Sequence, residues 1–300
     1  MRMLVTGKEG QVDTSLQRLG DATPGIEVIR IGLPEIDLSR PETLEAPIRE
    51  ARPDIIISSA AYTAVDKAES ERGLADAINA DGPGELARLA AALDIPLLHL
   101  STDYVFAGDK NGRYVETDTP GPHSAYGLTK LSGEMAIERA TNNHVILRTA
   151  WVYSPFGNNF VKTMLRLGET RDEIDVVADQ LGCPTYAPEI ARALLSVAQR
   201  VMTDRDPALR GIFHLTGQGE TTWAAFAEAI FQGAQIRGRK PVKVHPIPTS
   251  AYPTAAKRPS NSLLDGEKLS VTYGLRLDPW RISLDDCLDQ LIGHAGGTDL

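Results

Sequence analysis

Through the first half of the chain, short runs of β-branched and other apolar residues alternate with longer helix-forming stretches, the runs falling at residues 3–6, 27–31, 55–58, 97–101 and 145–149. That alternation is the signature of βαβ units around a parallel sheet. Several runs are apolar without a polar alternate, as expected of strands covered by helices on both faces. Between them, Ser39 and Glu42 around Pro41 read as a capping box that opens a helix through about residue 51, and an alanine- and leucine-rich helix is expected over about 84–93.

Past residue 150 the pattern loosens into aromatic and glycine-containing loops. Helices are expected near 159–167, 188–200 and 222–232, and residues 211–215 read as a late strand that returns to the first sheet. Residues 246–262 carry four of the 19 prolines, which predicts an ordered loop rather than a helix. The last residues, 293–300, read as a frayed tail. The expected fold class is α/β: a Rossmann-type doubly wound parallel sheet with a smaller C-terminal substrate-binding α/β domain. Residues 1–152 with about 179–218 are assigned to a dinucleotide-binding domain, and about 153–178 with 219–300 to a substrate domain.

Composition narrows the function classes. With 40 acidic against 31 basic side chains the formal charge is −9. Such a balance repels polyphosphate backbones and anionic lipid, so no nucleic-acid or membrane partner is expected. No apolar run approaches the length of a bilayer span, and the early glycine leaves no room for a signal-peptide core, so a soluble cytoplasmic protein is expected. Cys183 and Cys287 lie far apart, in no metal-ligand spacing, and read as reduced thiols.

Gly7-Lys8-Glu9-Gly10-Gln11-Val12-Asp13 follows the first strand and leads into a helix carrying Leu16 and Leu19. Gly7 permits the tight turn. Gly10 lets the backbone approach a pyrophosphate seated on the free N–H groups of the helix. The rival reading is an ordinary glycine turn. The third fingerprint position holds Asp13, whose bulk and charge predict weaker cofactor binding than glycine would give, although an acid in a first turn suits the helix dipole. An NAD-selective site carries an acid about 20 residues further on. Here that region reads Arg30-Ile31-Gly32, with no carboxylate before Glu35 and Asp37. NADPH is therefore expected to be at least tolerated beside NADH, with Arg30 a phosphate contact or, equally, a solvent-facing arginine.

Tyr126-Gly127-Leu128-Thr129-Lys130 places a phenol and an ammonium four residues apart on one face of a helix beginning near Ser124. A cation beside the phenol favours its anion, and moving a tyrosine pKa from about 10 to neutrality takes roughly 4 kcal/mol. Tyr126 is then a proton donor to a carbonyl near neutral pH. Ser101-Thr102-Asp103-Tyr104-Val105-Phe106 closes the fourth strand, where open α/β sheets place ligands, and Thr102 can polarise the same carbonyl. Asp103 reads either as a site residue or as a local turn cap.

The glycine loop, Ser101 to Phe106, Tyr126 with Lys130, and Arg148-Thr149-Ala150-Trp151-Val152-Tyr153 resemble an extended short-chain dehydrogenase/reductase. Thr63-Ala64-Val65-Asp66-Lys67-Ala68-Glu69, Asn158-Asn159-Phe160, Pro248-Thr249-Ser250-Ala251-Tyr252-Pro253-Thr254 and Arg258-Pro259-Ser260-Asn261-Ser262 make the resemblance narrower, to the family of dTDP-4-dehydrorhamnose reductases. The resemblance implies NAD(P)H-dependent reduction of the C4 carbonyl of dTDP-4-dehydro-L-rhamnose, with Tyr126 as acid, Lys130 as its electrostatic partner and ribose anchor, and Thr102 as polariser. It implies that Gly7, Gly10, Gln11 and Val12, with Ala60, Ala61 and Tyr62, line the cofactor, and that Asp37 contacts adenine or ribose. Val65, Asp103 and Trp151 would bind the nucleotide sugar.

Independently of any family, Ala60-Ala61-Tyr62 ends the third strand, where small residues let a cofactor lie close. Trp151 and Tyr153 can stack on a sugar or a base, or pack in the core. Lys257 and Arg258 supply local positive charge for a diphosphate, Arg258 being suited to bidentate contact, or form a solvated basic pair. Some members of the family bridge two subunits with Mg²⁺. This chain has Ser15 where one acidic ligand would fall and only Glu189 as a match for another, so no metal site is assigned and a monomer or weak homodimer is expected. Two rival readings remain: a nucleotide-sugar epimerase or dehydratase, and a non-catalytic NADP-binding regulatory subunit. Tyr104 stands where a dehydratase would want an acid, and the joint presence of Thr102, Tyr126 and Lys130 favours an enzyme.

Overall fold

The computed structural model describes residues 1–294. Six strands form the main sheet: β1 (Arg2–Thr6), β2 (Glu27–Ile31), β3 (Ile55–Ser58), β4 (Leu97–Thr102), β5 (His144–Thr149) and β10 (Gly211–His214). Every neighbouring pair is parallel, and the spatial order is β10-β5-β4-β3-β1-β2. The order reverses between β1 and β3, so a crevice opens outside the carboxyl ends of those strands. The predicted doubly wound α/β sheet is present.

The unalternated strand sequences follow from burial on both sides. Met3, Val5, Ile55, Ile57, Val145 and Leu147 face α1 (Gln11–Asp21) and α8 (Ala187–Thr203). Leu4, Ile56, Leu97 and Ile146 face α2 (Glu45–Ala51), α5 (Gly82–Ala92) and α6 (Ala125–Ala140). Between β3 and α5 the chain runs through the short helices α3 (Val65–Ala68) and α4 (Arg72–Asp76).

A second core gathers α7 (Phe160–Thr170), α9 (Trp223–Ile236) and α11 (Trp280–Ile292) around β7 (Glu173–Val177) and β12 (Lys243–Ile247), which pair in parallel. Phe226, Ile230, Trp280 and Leu288 are its main buried side chains. The intervening segment, α8 and β10, goes back to the first core. Short pairs, β6 (Val152–Tyr153) with β9 (Thr185–Tyr186) and β8 (Leu181–Gly182) with β11 (Thr221–Thr222), tie the connections together, and α10 (Glu267–Tyr273) packs by β10. No helix among the described residues is long and apolar enough to cross a membrane.

Two local expectations need correction. The capping box at Ser39 does not form: both the N–H and the hydroxyl of Ser39 donate to Asp37 Oδ1, at 2.9 and 2.7 Å, so the aspartate captures the serine in a local turn. A 3-10 turn at Pro41–Thr43 follows, and α2 begins only at Glu45. The proline-rich segment is loop only from Pro248 onward, and there a 3-10 turn at Thr249–Ala251 interrupts it. Pro246 lies inside β12, which is tolerated because that strand pairs with β7 alone. The tail expected to fray lies, from residue 295, outside the described residues.

Candidate active site

The glycine loop is the turn that follows β1. Gly7 has φ +111°, a conformation that disfavours any side chain, and its N–H donates to the Ile31 carbonyl at 2.7 Å. Gly10 caps α1, and a Cβ there would fall 2.4 Å from Asp13 Oδ1. Gly7 is thus required by its backbone conformation and Gly10 by the Asp13 carboxylate beside it, and the exposed loop ends on the N-terminus of an 11-residue helix, a fit for a pyrophosphate. Asp13 is 3% exposed, and its carboxylate fills the space beneath Gly7 and Gly10. Burial raises its pKa, and Oδ2 has no hydrogen-bond partner among the described residues. The nearest cation, Arg30 Nη1, lies 3.9 Å away and donates to the Lys8 carbonyl at 2.7 Å. Arg30 therefore rests against the glycine loop.

Gln11 reaches across the crevice. Its Oε1 accepts from Ser154 Oγ at 2.8 Å and from Asn159 Nδ2 at 3.0 Å, and its Nε2 donates to the Val152 carbonyl at 3.3 Å. Val12 is buried in the first core. At the end of β3, the Ala60 N–H donates to the Thr6 hydroxyl oxygen at 3.1 Å, Ala61 and Tyr62 are half-buried, and the Tyr62 phenol is hydrogen-bonded to Glu71. Asp37, bonded to Ser39, sits in the turn after β2 with its pKa held down chiefly by that hydroxyl. The residues expected to line a dinucleotide thus surround the carboxyl ends of β1, β2 and β3.

The acid–base group stands at the end of β4. Thr102 caps a 3-10 turn, its Oγ1 accepting from the Tyr104 N–H at 3.2 Å and donating to Asp103 Oδ1 at 3.0 Å. Asp103 is both a turn residue and buried, which pushes its pKa up to about 6. Ser124 caps α6 by accepting from the Gly127 N–H at 3.1 Å, and Tyr126 follows in the first turn. Desolvation holds the Tyr126 phenol above its ordinary range, with hydrogen bonding to Thr102 working the other way. This corrects the expectation of a lysine-lowered phenol. The Lys130 ammonium, 2% exposed, donates to the Leu100 carbonyl at 2.7 Å and bonds His99 Nε2 at 3.0 Å. Burial lowers the Lys130 pKa to about 8. Tyr126 is accordingly protonated at neutral pH, the state a proton donor must have.

Across the crevice, Trp151 has φ +51° and stacks on Trp223, with ring centroids 3.5 Å apart and an interplanar angle of 11°. Tyr153 belongs to the second core instead, 1% exposed with its hydroxyl on the Trp280 carbonyl. Val65 opens α3, half-buried. Arg258 is not a free cation: Nη2 is 2.8 Å from Asp66 Oδ2 and Nη1 is 3.4 Å from the Tyr104 hydroxyl, whereas Lys257 is exposed. Glu189 accepts from the Asp278 N–H and the Ser283 hydroxyl, both at 2.9 Å, and Ser15 donates to the Gln11 carbonyl at 2.7 Å.

A family model described as "RmlD substrate binding domain" matches residues 1–292. A dTDP-4-dehydrorhamnose reductase from Sinorhizobium fredii is 52% identical over 284 residues, covering 94% of this chain and 95% of that one. The chain belongs to the dTDP-4-dehydrorhamnose reductase family. Among solved structures, the family member from Clostridium acetobutylicum superposes with a TM-score of 0.90 at 38% identity, covering 97% of this chain and 99% of that one. The member from Bacillus anthracis, in complex with NADP, gives 0.88 at 35% identity over 96% and 98%.

Several further residues of this family member have partners that the sequence analysis did not assign. Asp66 binds Arg258 and accepts from the Ala256 N–H at 3.1 Å. Trp223 starts a helix far along the chain. Glu134 and Arg148 form a buried bidentate pair, with Nε–Oε1 at 2.9 Å and Nη2–Oε2 at 2.6 Å. Helical spacing from Lys130 points to Glu134, but only folding brings in Arg148.

Proposed function

We propose that the chain reduces the C4 carbonyl of dTDP-4-dehydro-L-rhamnose to dTDP-L-rhamnose with NADPH or NADH, Tyr126 giving the proton. The observation that carries this reading is the packing of the first turn of α6, which holds Tyr126, against the turn that follows Thr102 at the carboxyl end of β4, the Tyr126 and Tyr104 rings lying 5.4 Å apart, beside a glycine loop built for a dinucleotide. Reduced nicotinamide supplies the hydride when bound. Thr102 and Tyr126 hold the carbonyl oxygen, and the phenolic O–H bond breaks as the new alcohol O–H forms. Lys130 steadies the phenolate left behind and anchors the ribose. Burial of Tyr126 keeps the proton in place until charge develops on the carbonyl oxygen, which is when donation is most effective.

Gly7, Gly10, Gln11 and Val12 are the proposed diphosphate loop, with Ala60, Ala61, Tyr62 and Asp37 on the nucleoside sides. Arg30, resting on that loop at the edge of β2, supports acceptance of a 2′-phosphate. The buried Asp13 carboxyl fills the space beneath Gly7 and Gly10, which supports the expected weakening of cofactor affinity. Val65, Asp103, Trp151 and Arg258 form the proposed sugar-nucleotide side. The two cores support the division into a dinucleotide domain of residues 1–152 with about 179–218 and a sugar-nucleotide domain of the remainder, save that Leu269 and Leu277 pack in the first core and Tyr186 in the second. Self-sufficient acid, polariser and cation within one chain support a working monomer or weak homodimer.

The test follows reduced-nicotinamide absorbance with dTDP-4-dehydro-L-rhamnose for wild type and Tyr126→Phe. Loss of the proton donor is expected to lower kcat by about 10²- to 10⁴-fold with both KM values little changed. Full activity of Tyr126→Phe, or purified protein carrying tightly bound oxidised cofactor and turning over without added NAD(P)H, overturns the reading.

A further inference from the structure

One buried group stands behind the catalytic lysine without a part in the reaction above. His99 interrupts the apolar run Leu97-Leu98-His99-Leu100 in the middle of the sheet and is 1% exposed. A polar ring in such a strand is costly unless both nitrogens are satisfied. Here both are: Nε2 lies 3.0 Å from Lys130 Nζ, and Nδ1 lies 2.9 Å from the hydroxyl of Ser58, a fully buried residue at the end of β3. An ammonium has only donors, so Nε2 is the acceptor and Nδ1 carries the hydrogen that Ser58 receives. With the Leu100 carbonyl at 2.7 Å, two of the three ammonium N–H bonds are directed into the sheet.

Resting on the reading that Lys130 serves the reduction, we infer that His99, locked in one tautomer by Ser58, is a positioning residue that aims Lys130 so that its remaining N–H serves the cofactor and Tyr126. The ring can hold this role only while neutral. Burial, Lys130 and then His144 from β5 keep its pKa well below the ordinary histidine value. The other charged group facing this chain is Glu134, one turn along α6, which favours the charged lysine against the effect of burial. Losing the Nε2 acceptor removes a stabilising partner of the ammonium, so the lysine should then release its proton at lower pH.

The experiment compares His99→Leu, His99→Gln, Ser58→Ala and Lys130→Met with wild type, recording kcat, both KM values and the pH profile of kcat. His99→Leu should lower kcat roughly 10- to 100-fold, the scale on which a misplacement of about 1 Å acts, and move the alkaline limb of the profile to lower pH. His99→Gln, whose amide oxygen can accept in place of Nε2, should restore most of both. Ser58→Ala should shift the limb in the same direction by less. Unchanged kcat and profile in folded His99→Leu overturn the inference, as does equal impairment of His99→Leu and His99→Gln with no shift, which marks a packing role. Should His99→Leu fail to fold, a wild-type kcat and profile for Ser58→Ala overturn it. Retained activity in Lys130→Met sinks the lysine's assignment itself; an inactive Lys130→Met beside wild-type behaviour of the His99 and Ser58 variants sinks this inference alone.

Discussion

Asp103 owes its chemistry to where the strand leaves it. One carboxylate oxygen takes the Thr102 hydroxyl and the other, buried, has no partner among the described residues. Burial sets its pKa at about 6, above the ordinary 3.8. The folded state therefore holds this proton more tightly than the unfolded chain does. Its contribution to stability is present below about pH 4 and is lost as pH rises through about 6, a difference on the order of 3 kcal/mol for a fully desolvated carboxyl. Asp103→Asn should consequently be more stable than wild type at pH 7.5 by about 1–3 kcal/mol, with the advantage gone near pH 4. Denaturant unfolding at the two pH values measures it, and an equal offset at both would show that the carboxyl does not titrate in this range. Of this behaviour, only the position after a strand was legible in the sequence; burial was not.

Helix α6 shows what a single element can and cannot announce. Its N-cap, Ser124, and the spacing of Tyr126 and Lys130 are sequence-local, and the expected start near Ser124 agrees with the observed one. Its depth in the molecule depends on neighbours. A Cβ at Gly127 would lie 2.2 Å from the Tyr104 carbonyl oxygen, and one at Gly133 would lie 2.1 Å from that of Asn79, so the helix approaches both backbones where only glycine fits. The same depth buries Glu134 against Arg148, with side chains 1% and 2% exposed. Neutralising one partner strands the other charge, so Glu134→Gln should cost about 3–5 kcal/mol, whereas Glu134→Leu with Arg148→Met should recover most of that. Urea midpoints of the single and double variants check it; a single variant within 1 kcal/mol of wild type contradicts the pair's burial.

At the scale of the molecule, two cores face each other across the crevice and are joined by polar contacts from distant parts of the chain. Gln11 reaches Ser154 and Asn159, and Asp66 holds both the Ala256 N–H and Arg258. The Asp66–Arg258 pair is part-exposed, 43% and 31%, so it adds little stability. It does fix the loop that carries Arg258. Asp66→Ala should leave Tm within about 2 °C, as expected for a part-exposed ion pair, and raise KM for the nucleotide sugar roughly tenfold with KM for NADPH unchanged. A parallel rise in both constants would show that the loop does not belong to the sugar side.

What the linear order of residues determined by itself was everything governed by near neighbours: apolar runs long enough to be doubly covered strands, Gly7 and Gly10 at a turn, a helix cap followed by Tyr126 and Lys130. The two-residue strands, Pro246 within an edge strand and the failed cap at Ser39 were not legible, because each is decided by a partner distant in sequence or by a competing local hydrogen bond. Only the tertiary structure decided the charge states. Desolvation raises Tyr126 and Asp103 and lowers Lys130, and desolvation depends on how much protein, drawn from all along the chain, is packed around a group rather than on what stands beside it in the sequence.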